Sequence, residues 1–268
     1  MKVKIKMAFI VLCYRETRDL IKLINNLKEH REELAIVIVN SYYDEATKAE
    51  FEKIANENNC DFLNIENKGY GYGNNRGMEY ANEKYQYDFL CICNPDIVFE
   101  NFPIDHLTKD LHGSIIAPSI ITKNGKKQNP YYYFHVPLVD WLKYVGLTKN
   151  KKLAYYLGVA INKIFRITLD NLNFKAKVKV YACHGACFFI GNIAAKKLGL
   201  PFNEEMFLFH EEEHLARLTN KLSIPILYDK GIKVLHFEDG SSESIKDSTF
   251  KYMKQSYTEY YHFWRNRD

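Results

Sequence analysis

The sequence predicts an α/β fold with a mainly parallel central sheet flanked by helices. Over roughly the first 120 residues, apolar runs alternate with amphipathic helical stretches, which is the pattern of strands joined by helical crossovers. Several of these runs are nearly continuous, as expected for strands covered on both faces. The 268 residues are 47% hydrophobic and 15% aromatic, so the chain can bury a substantial core as one domain, which we predict for 1–268.

The first part of the chain is predicted to contain five strands and four helices. The strands are the apolar runs at 7–14, 34–40, 60–65, 88–94 and 114–120. The helices lie between or after them at 16–30, 44–58, 74–86 and 103–111. Because ligands of such sheets bind beyond the carboxyl ends of the strands, we look for functional residues there.

Two further segments are predicted to be helical. The segment 131–170 reads as two amphipathic helices around a lysine-rich link, and 246–268 reads as a C-terminal helix rich in Tyr, Phe and Trp. Each segment has three possible positions: against the core, against a second copy of the chain in a homodimer, or at a bilayer surface. Trp141 of the first segment suits the bilayer surface. The residues predicted to pack on the core are Tyr155, Tyr156, Val159, Ile161 and Ile164.

The charge and cysteine content limit the partners and the location. The net charge is +4, and lysines concentrate in 143–152 and 175–179, so these patches either form a solvated face or meet anionic lipid or a phosphorylated acceptor. No nucleic-acid partner is predicted. No long apolar run and no signal-like start occur, which predicts a cytoplasmic protein. The six cysteines form no C-x-x-C and are predicted to be small buried hydrophobes.

Two strand ends carry candidate binding residues. After the third strand, "ENKGYGYGNNRGMEYA" (66–81) leads glycines into a helix, where a phosphate could rest, although the spacing excludes a Rossmann fingerprint. After the fourth strand, "CNPDIVF" (93–99) carries Asn94 and Asp96. These two residues are either a site for Mg²⁺ or Mn²⁺, which need few protein ligands, or an ordinary Asx turn.

The stretch "FHEEEHLARL" (209–218) raises a choice between two chemistries. Its His210 and His214 fit the H-E-x-x-H pattern of zinc metallopeptidases. The stripe that would face the core at helical spacing contains Glu211, Leu215, Leu218 and Leu222. Glu212 then lies at the edge of that face and Glu213 points to solvent. The surrounding α/β pattern favours a role for the acids over zinc binding.

Seven segments in order resemble glycosyltransferase family 2, especially its rhamnosyltransferase-like bacterial members that build surface polysaccharides such as capsule. They span about residues 7–242 and read "FIVLCYRE", "VNSYYDEAT", "NKGYGYGNNRGMEYA", "CNPDIVF", "HGACFFIG", "PFNEEMFLFHEEEHLARL" and "VLHFEDGSS". The resemblance implies a GT-A fold and an inverting, metal-assisted transfer from a nucleotide-diphosphate sugar. It further implies a nucleotide-sugar-binding half at 1–120, a helical insertion at 131–170 and an acceptor and catalytic half at 178–242.

The resemblance also assigns roles to individual residues. Glu212 is implied as the general base with Glu211 as its supporting neighbour, where the family more often has an E-D pair. Asp96 and His236 are implied to hold Mn²⁺ or Mg²⁺, with Asn94 replacing the first acid of the family's D-x-D-like motif. The residues implied to line the nucleotide-sugar site are Cys13, Tyr14, Asn40, Gly69, Asn75, Asn94, Gly185 and Ala186. The family more often has an acid near Asn40, so the base of the nucleotide is left open.

Three classes of function therefore remain at this stage. The favoured one is a glycosyltransferase that acts on a saccharide acceptor, lipid-linked in many such enzymes, at the inner face of the plasma membrane. The others are a zinc metallopeptidase and a nucleotide-sugar-binding protein without catalysis. The donor, the acceptor and the linkage depend on loop shapes that sequence patterns do not reveal.

Overall fold

The computed structural model describes residues 2–102, 104–172, 175–237, 246–265 and 267. The strands are β1 (Val3–Lys4), β2 (Met7–Cys13), β3 (Leu34–Ser41), β4 (Asp61–Ile65), β5 (Tyr85–Gln86), β6 (Phe89–Cys93), β7 (Ile97–Asn101), β8 (Ile115–Thr122), β9 (Lys177–Val180), β10 (Cys187–Gly191) and β11 (Ile226–His236). The helices are α1 (Arg18–Asn26), α2 (Glu45–Glu57), α3 (Tyr70–Lys84), α4 (Pro137–Thr148), α5 (Lys152–Leu172), α6 (Asn192–Leu198), α7 (Glu211–Lys221) and α8 (Lys246–Trp264).

The first half of the main sheet is parallel, as the sequence predicts. Its strands follow the order β4-β3-β2-β6, and all three neighbouring pairs are parallel. The helices α1, α2 and α3 connect them, because parallel neighbours need long crossovers. All five predicted strands are present within a residue or two of their predicted ends.

The second half of the sheet is mixed. β10 lies antiparallel between β6 and β8, β11 runs parallel to β8, and β7 and β9 both pair antiparallel with β11. In the described part of the chain, nine strands form this one sheet, and β1 and β5 form a separate pair. The predicted α/β fold is confirmed, while consecutive parallel neighbours occur only from β4 to β6, and the rest of the described sheet combines the parallel pair β8–β11 with antiparallel pairs.

Three predicted helices differ from the structure. The one predicted at 16–30 ends at Asn26, before a separate 3-10 turn at Lys28–His30. α3 begins at Tyr70 rather than at 74, because its glycines fit against the sheet: a Cβ on Gly73 would lie 2.4 Å from Leu12 and one on Gly77 would lie 2.3 Å from Ile10. Glycine lowers helix propensity, so the pattern predicted a later start. The helix predicted at 103–111 is instead two short 3-10 turns at Ile104–His106 and Lys109–Leu111.

Apolar side chains on both faces of the sheet form the core. Phe9 and Val11 pack on one face of β2, while Ala8 and Ile10 pack on the other, and all four are fully buried. Each large buried side chain contributes roughly 1.5–3 kcal/mol relative to exposure. Among the six cysteines, all but the half-buried Cys60 are buried, as predicted.

The insertion and the C-terminal helix form a layer beside α7. Tyr257, Tyr260 and Trp264 of α8 are buried together with Leu147 and Met206. The two helices predicted in 131–170 are present, but their predicted core contacts are mostly wrong. Tyr155 and Ile161 are half-buried, whereas Tyr156, Val159 and Ile164 are exposed. Among the helices in the described ranges, none has the length and apolar character needed to cross a bilayer.

Candidate active site

A strained turn brings three glutamates to the start of α7. Phe209 and His210 have φ angles of 74° and 71°, in the left-handed region that non-glycine residues rarely adopt. Such residues cost on the order of 1–3 kcal/mol each and persist only where the surroundings hold them, commonly at functional sites. Glu211, Glu212 and Glu213 occupy the first turn, where the helix dipole stabilises negative charge.

Glu212 reaches the turn between β9 and β10. Its Oε1 accepts a hydrogen bond from the backbone N–H of Gly185 at 3.1 Å, and a Cβ on residue 185 would lie 3.1 Å from that oxygen. Burial and then the charge of Glu213 raise the pKa of Glu212 to about 7. The carboxyl group can therefore exchange a proton near neutral pH, which suits a general base.

Glu211 points inward, as its helical position predicts. It is 6% exposed, and its Oε1 has no hydrogen-bond partner among the described residues. Burial, followed by the charge of Glu212, raises its pKa well above the usual value for a glutamate. The environment of Glu211 therefore favours the neutral carboxylic acid over the carboxylate.

The prediction that Glu213 points to solvent is wrong. Its side chain is 2% exposed and forms an ion pair with Lys143 of α4 at 2.7 Å. His210 Nδ1 lies 3.3 Å from the same Oε1 of Glu213. Burial disfavours the charged carboxylate, but Lys143 and His210 outweigh it and lower the pKa of Glu213. Helical spacing could not reveal this, because Lys143 belongs to the insertion.

The turn His184–Ala186 connects Glu212 with the end of β6. Gly185 accepts a hydrogen bond from the Tyr70 hydroxyl at 2.7 Å through its carbonyl oxygen, and donates to Glu212 through its N–H. The carbonyl of Ala186 accepts from the backbone N–H of Asn94 at 2.8 Å. The small residues predicted here thus hold the candidate base beside the candidate metal ligands. Tyr70 lies inside the glycine motif at 66–81, where the sequence pattern does not indicate its contact with Gly185.

Asp96 and His236 come together although 140 residues separate them in the sequence. His236 Nε2 lies 3.3 Å from Asp96 Oδ1, and both residues are buried, at 7% and 8% exposure. The other ring nitrogen of His236 contacts the amide oxygen of Gln128 at 2.7 Å. An amide oxygen accepts only, so Nδ1 carries a hydrogen and Nε2 faces the carboxylate, which is how metal-binding histidines are commonly oriented.

These two side chains fit a divalent ion. A carboxylate oxygen and an imidazole nitrogen 3.3 Å apart can both bind one Mn²⁺ or Mg²⁺ that completes its shell with other oxygens. The rings of His184 and His236 pack edge to face, with 6.0 Å between their centroids. Burial lowers the pKa of His184 to about 3. His184 is therefore neutral at neutral pH. Sequence patterns gave no signal for Gln128.

Of the three strand-end residues predicted to bind the nucleoside, Tyr14 is accessible, whereas Cys13 and Asn40 are not. Cys13 and Asn40 are fully buried, and Asn40 donates to the side chain of Asn64 at 2.7 Å. Tyr14, Arg15 and Tyr43 form the accessible cluster beside them. The Arg15 guanidinium lies 4.1 Å from the Tyr43 ring centre and donates to its hydroxyl at 2.7 Å.

Gly69 and Asn75 contact protein rather than an open phosphate site. Gly69 has a φ of 103°, and a Cβ there would lie 2.2 Å from the carbonyl oxygen of Phe207, which accepts from the N–H of Tyr70. Asn75 donates to the carbonyl of Phe202 at 2.9 Å and accepts from its N–H at 3.2 Å. Both residues therefore fix the loop that leads into α7.

The two histidines of the H-E-x-x-H pattern do not form a zinc site. His214 Nδ1 accepts from the indole N–H of Trp264 at 3.1 Å, and burial lowers its pKa to about 4. His210 instead faces Glu213. Within the described ranges, the one group of three or more candidate ligands in metal-binding range is Cys91, Cys93 and Cys187 in the core.

Comparisons with known proteins identify the family. The sequence profile described as "Glycosyl transferase family 2" matches residues 8–165, which is more than half of the chain. No curated protein sequence is significantly similar to the chain.

Two solved structures have the same fold at low sequence identity. "GalNAc-T7 with UDP, GalNAc and Mn2+" has a TM-score of 0.62 at 13% identity, over 98% of this chain and 48% of that one. "S. aureus TarS" has a TM-score of 0.56 at 16% identity, over 87% of this chain and 37% of that one. The chain thus spans less than half the length of either protein, and the likeness confirms the predicted GT-A fold. Because the family profile covers more than half of its residues, the chain belongs to glycosyl transferase family 2.

Proposed function

We propose that the protein is an inverting glycosyltransferase that moves a sugar from a nucleotide-diphosphate donor to a saccharide acceptor. The observation that carries this proposal is the turn His184–Ala186, which links Glu212 on one side to Asn94 and the Asp96–His236 pair on the other. A base and a diphosphate-binding edge on opposite sides of one small-residue turn suit a displacement at a sugar carbon.

The chemistry follows from this arrangement. The acceptor hydroxyl attacks the anomeric carbon from the face opposite the diphosphate, and its proton passes to the Glu212 carboxylate. The new bond joins the anomeric carbon to the acceptor oxygen, while the old bond to the phosphate oxygen breaks and its electron pair leaves with the nucleoside diphosphate. The configuration at the anomeric carbon inverts.

Asp96 and His236 would hold Mn²⁺ or Mg²⁺, which offsets the charge of the diphosphate when bound. The neighbour crystallised with Mn2+ supports this choice.

We expect Mn²⁺ with a nucleoside diphosphate to raise the melting temperature of the wild-type protein by several degrees, because a ligand that binds only the folded state stabilises it. Asp96→Asn should lose most of the metal-dependent part of this rise, and an equal rise in both proteins would contradict the assignment.

We propose that the nucleoside binds at Tyr14, Arg15 and Tyr43, since an aromatic and cationic surface at the ends of β2 and β3 can stack on a base. The acceptor in this proposal is a saccharide of bacterial surface polysaccharide synthesis, carried on a lipid at the inner face of the plasma membrane. The resemblance to polysaccharide-building enzymes and the exposed apolar surface of α5 support this part.

The decisive experiment replaces Glu212 with Gln. The variant should retain binding of the nucleoside diphosphate but lose transfer by roughly 10²–10⁴-fold, since it keeps the shape of the side chain and loses the base. Glu205→Gln, a substitution at an exposed glutamate before α7, is the matched control and should leave turnover unchanged. Unaltered turnover in Glu212→Gln would refute the base assignment. A wild-type protein that binds nucleotide sugars but neither hydrolyses nor transfers them would instead be a binding protein.

A further inference from the structure

A cavity of about 670 Å³ opens on the side of Glu212 that faces the insertion. Its walls come from the turn after β8, from α4 and α5, and from the residues before α7. Glu212 and His184 lie on its lining, together with the adjacent rings of Tyr131 and Tyr132. Asp96 and His236 do not line it, so the cavity is distinct from the edge of the sheet that carries the candidate metal ligands.

Cations dominate this cavity. Lys126, Lys127, Lys163 and Arg166 all line it, and Glu212 is the one acid among the described residues that do so. A fifth cation, Lys143, is neutralised by Glu213.

Within the described ranges, no hydrogen bond or ion pair involves the ammonium groups of Lys126, Lys127 and Lys163. Like charges gathered at a concave, partly apolar surface raise the local positive potential and attract an anion.

Two separate parts of the chain supply these cations and are tied to each other. Lys126 and Lys127 belong to the turn after β8, whereas Lys163 and Arg166 lie one helical turn apart on α5. The Arg166 guanidinium donates a hydrogen bond to the backbone carbonyl of Lys127, which fixes α5 to the turn. After burial and His236, the charges of Lys126 and Arg166 lower the pKa of His184, so their field reaches the lining beside Glu212.

We propose that the acceptor carries a phosphate or diphosphate group, which Lys126, Lys127, Lys163 and Arg166 bind while the accepting hydroxyl lies at Glu212. The inference rests on the proposed function, and it adds the chemical class of the acceptor. Four cations suit a multiply charged phosphate better than a single carboxylate, and a guanidinium matches phosphate oxygens in a bidentate way. The tyrosine rings provide the apolar wall between the anion and the hydroxyl.

Calorimetric titration with inorganic phosphate tests the site without knowledge of the acceptor sugar. The donor site is first saturated with whichever nucleoside diphosphate stabilises the protein most. We expect wild-type protein to bind phosphate and the double variant Lys127→Gln/Lys163→Gln to bind it at least tenfold more weakly. Both side chains are exposed, so the variant should fold. The control, Lys151→Gln/Lys152→Gln, removes two exposed lysines of the insertion that do not line the cavity.

Equal phosphate binding in wild type and the double variant, or no binding in wild type, would overturn the inference. If no nucleoside diphosphate stabilises the protein, the proposed function fails, and the phosphate titration still reports on the cavity. Titrations with farnesyl diphosphate, glucose 1-phosphate and glucose then identify the source of the anion. Tightest binding of farnesyl diphosphate supports a lipid diphosphate, and tightest binding of glucose 1-phosphate supports a phosphorylated saccharide. Equal binding of all three compounds contradicts both.

Discussion

Glu212 has two acidic neighbours in different environments. Burial raises the pKa of Glu211, whereas Glu213 is buried against Lys143, which lowers its pKa. The like charge that raises the pKa of Glu212 therefore comes mainly from Glu213, after burial itself. The ion pair at Glu213 thus adjusts the base without touching the substrate.

This arrangement predicts a pH profile for transfer. Glu212 accepts a proton only when ionised, so kcat/KM should rise with pH and level off above a midpoint near its pKa of about 7. Glu213→Gln removes a nearby negative charge and leaves the Lys143 charge unbalanced, and both changes favour ionised Glu212. The midpoint should therefore move to lower pH by roughly one unit. A steady-state pH series measures it, and an unmoved or raised midpoint would show that Glu213 does not act on the base.

Local order along the chain was enough to predict the position of Glu211, which lies inward as helical spacing indicates. Strand ends singled out Asp96, whose role as a metal ligand stays a prediction. The position of Glu213 and the contact of Gln128 were not predicted, because each of these residues contacts a partner on a distant segment. Lys143 lies 70 residues before Glu213, and Gln128 lies 108 residues before His236. No periodic pattern reports such contacts.

At the scale of elements, the insertion helix α4 supports the catalytic helix α7. Lys143 and Asp140 are both buried on α4, and each contacts α7: Lys143 through Glu213, and Asp140 through Arg217 at 3.3 Å. Tyr260 of α8 donates to Asp140 at 2.9 Å. The three helices are thus joined by buried charged and polar pairs, which are costly to break from one side.

Lys143→Met should destabilise the protein strongly. The substitution leaves Glu213 buried without its cation, and removing one partner of a buried ion pair costs roughly 3–5 kcal/mol of the free energy of unfolding. Chemical denaturation monitored by fluorescence measures the change. Lys152→Met, at an exposed position on α5, should change stability by less than about 0.5 kcal/mol.

The double variant Lys143→Met/Glu213→Gln distinguishes lost charge pairing from lost packing. It removes both charges, so it should recover a large part of the stability that the single variant loses. A double variant no more stable than Lys143→Met would mean that the lysine stem, rather than the ion pair, holds α4 against α7.

The elements themselves were largely predictable, with exceptions that have physical causes. Buried parallel strands have continuous apolar runs, which identified β2, β3 and β6. α3 was predicted to begin too late, because glycines that usually weaken a helix allow close packing on β2 here. The mixed half of the sheet was not predicted, since antiparallel pairing of β10 between β6 and β8 joins segments far apart in sequence.

At the scale of the whole molecule, α5 leaves an apolar surface uncovered. Among its described residues, only Gly158 is buried. Leu153, Leu157, Ile164 and Ile167 recur at helical spacing and are 83%, 51%, 64% and 52% exposed. Lysines flank this stripe at 149, 151 and 152 and again at 175. An apolar stripe bordered by cations fits the interface of an anionic bilayer.

We therefore expect the protein to bind vesicles that contain phosphatidylglycerol and not to bind vesicles of pure phosphatidylcholine. Binding should be weaker at high salt. Leu153→Glu/Ile164→Glu should abolish co-flotation, because two carboxylates would have to enter the apolar layer. Ile193→Glu/Leu200→Glu, at positions 62% and 40% exposed elsewhere on the molecule, should bind like wild type. If wild type ignores both vesicles and sediments as a dimer that Leu153→Glu/Ile164→Glu dissociates, a second copy of the chain covers this surface and the bilayer does not.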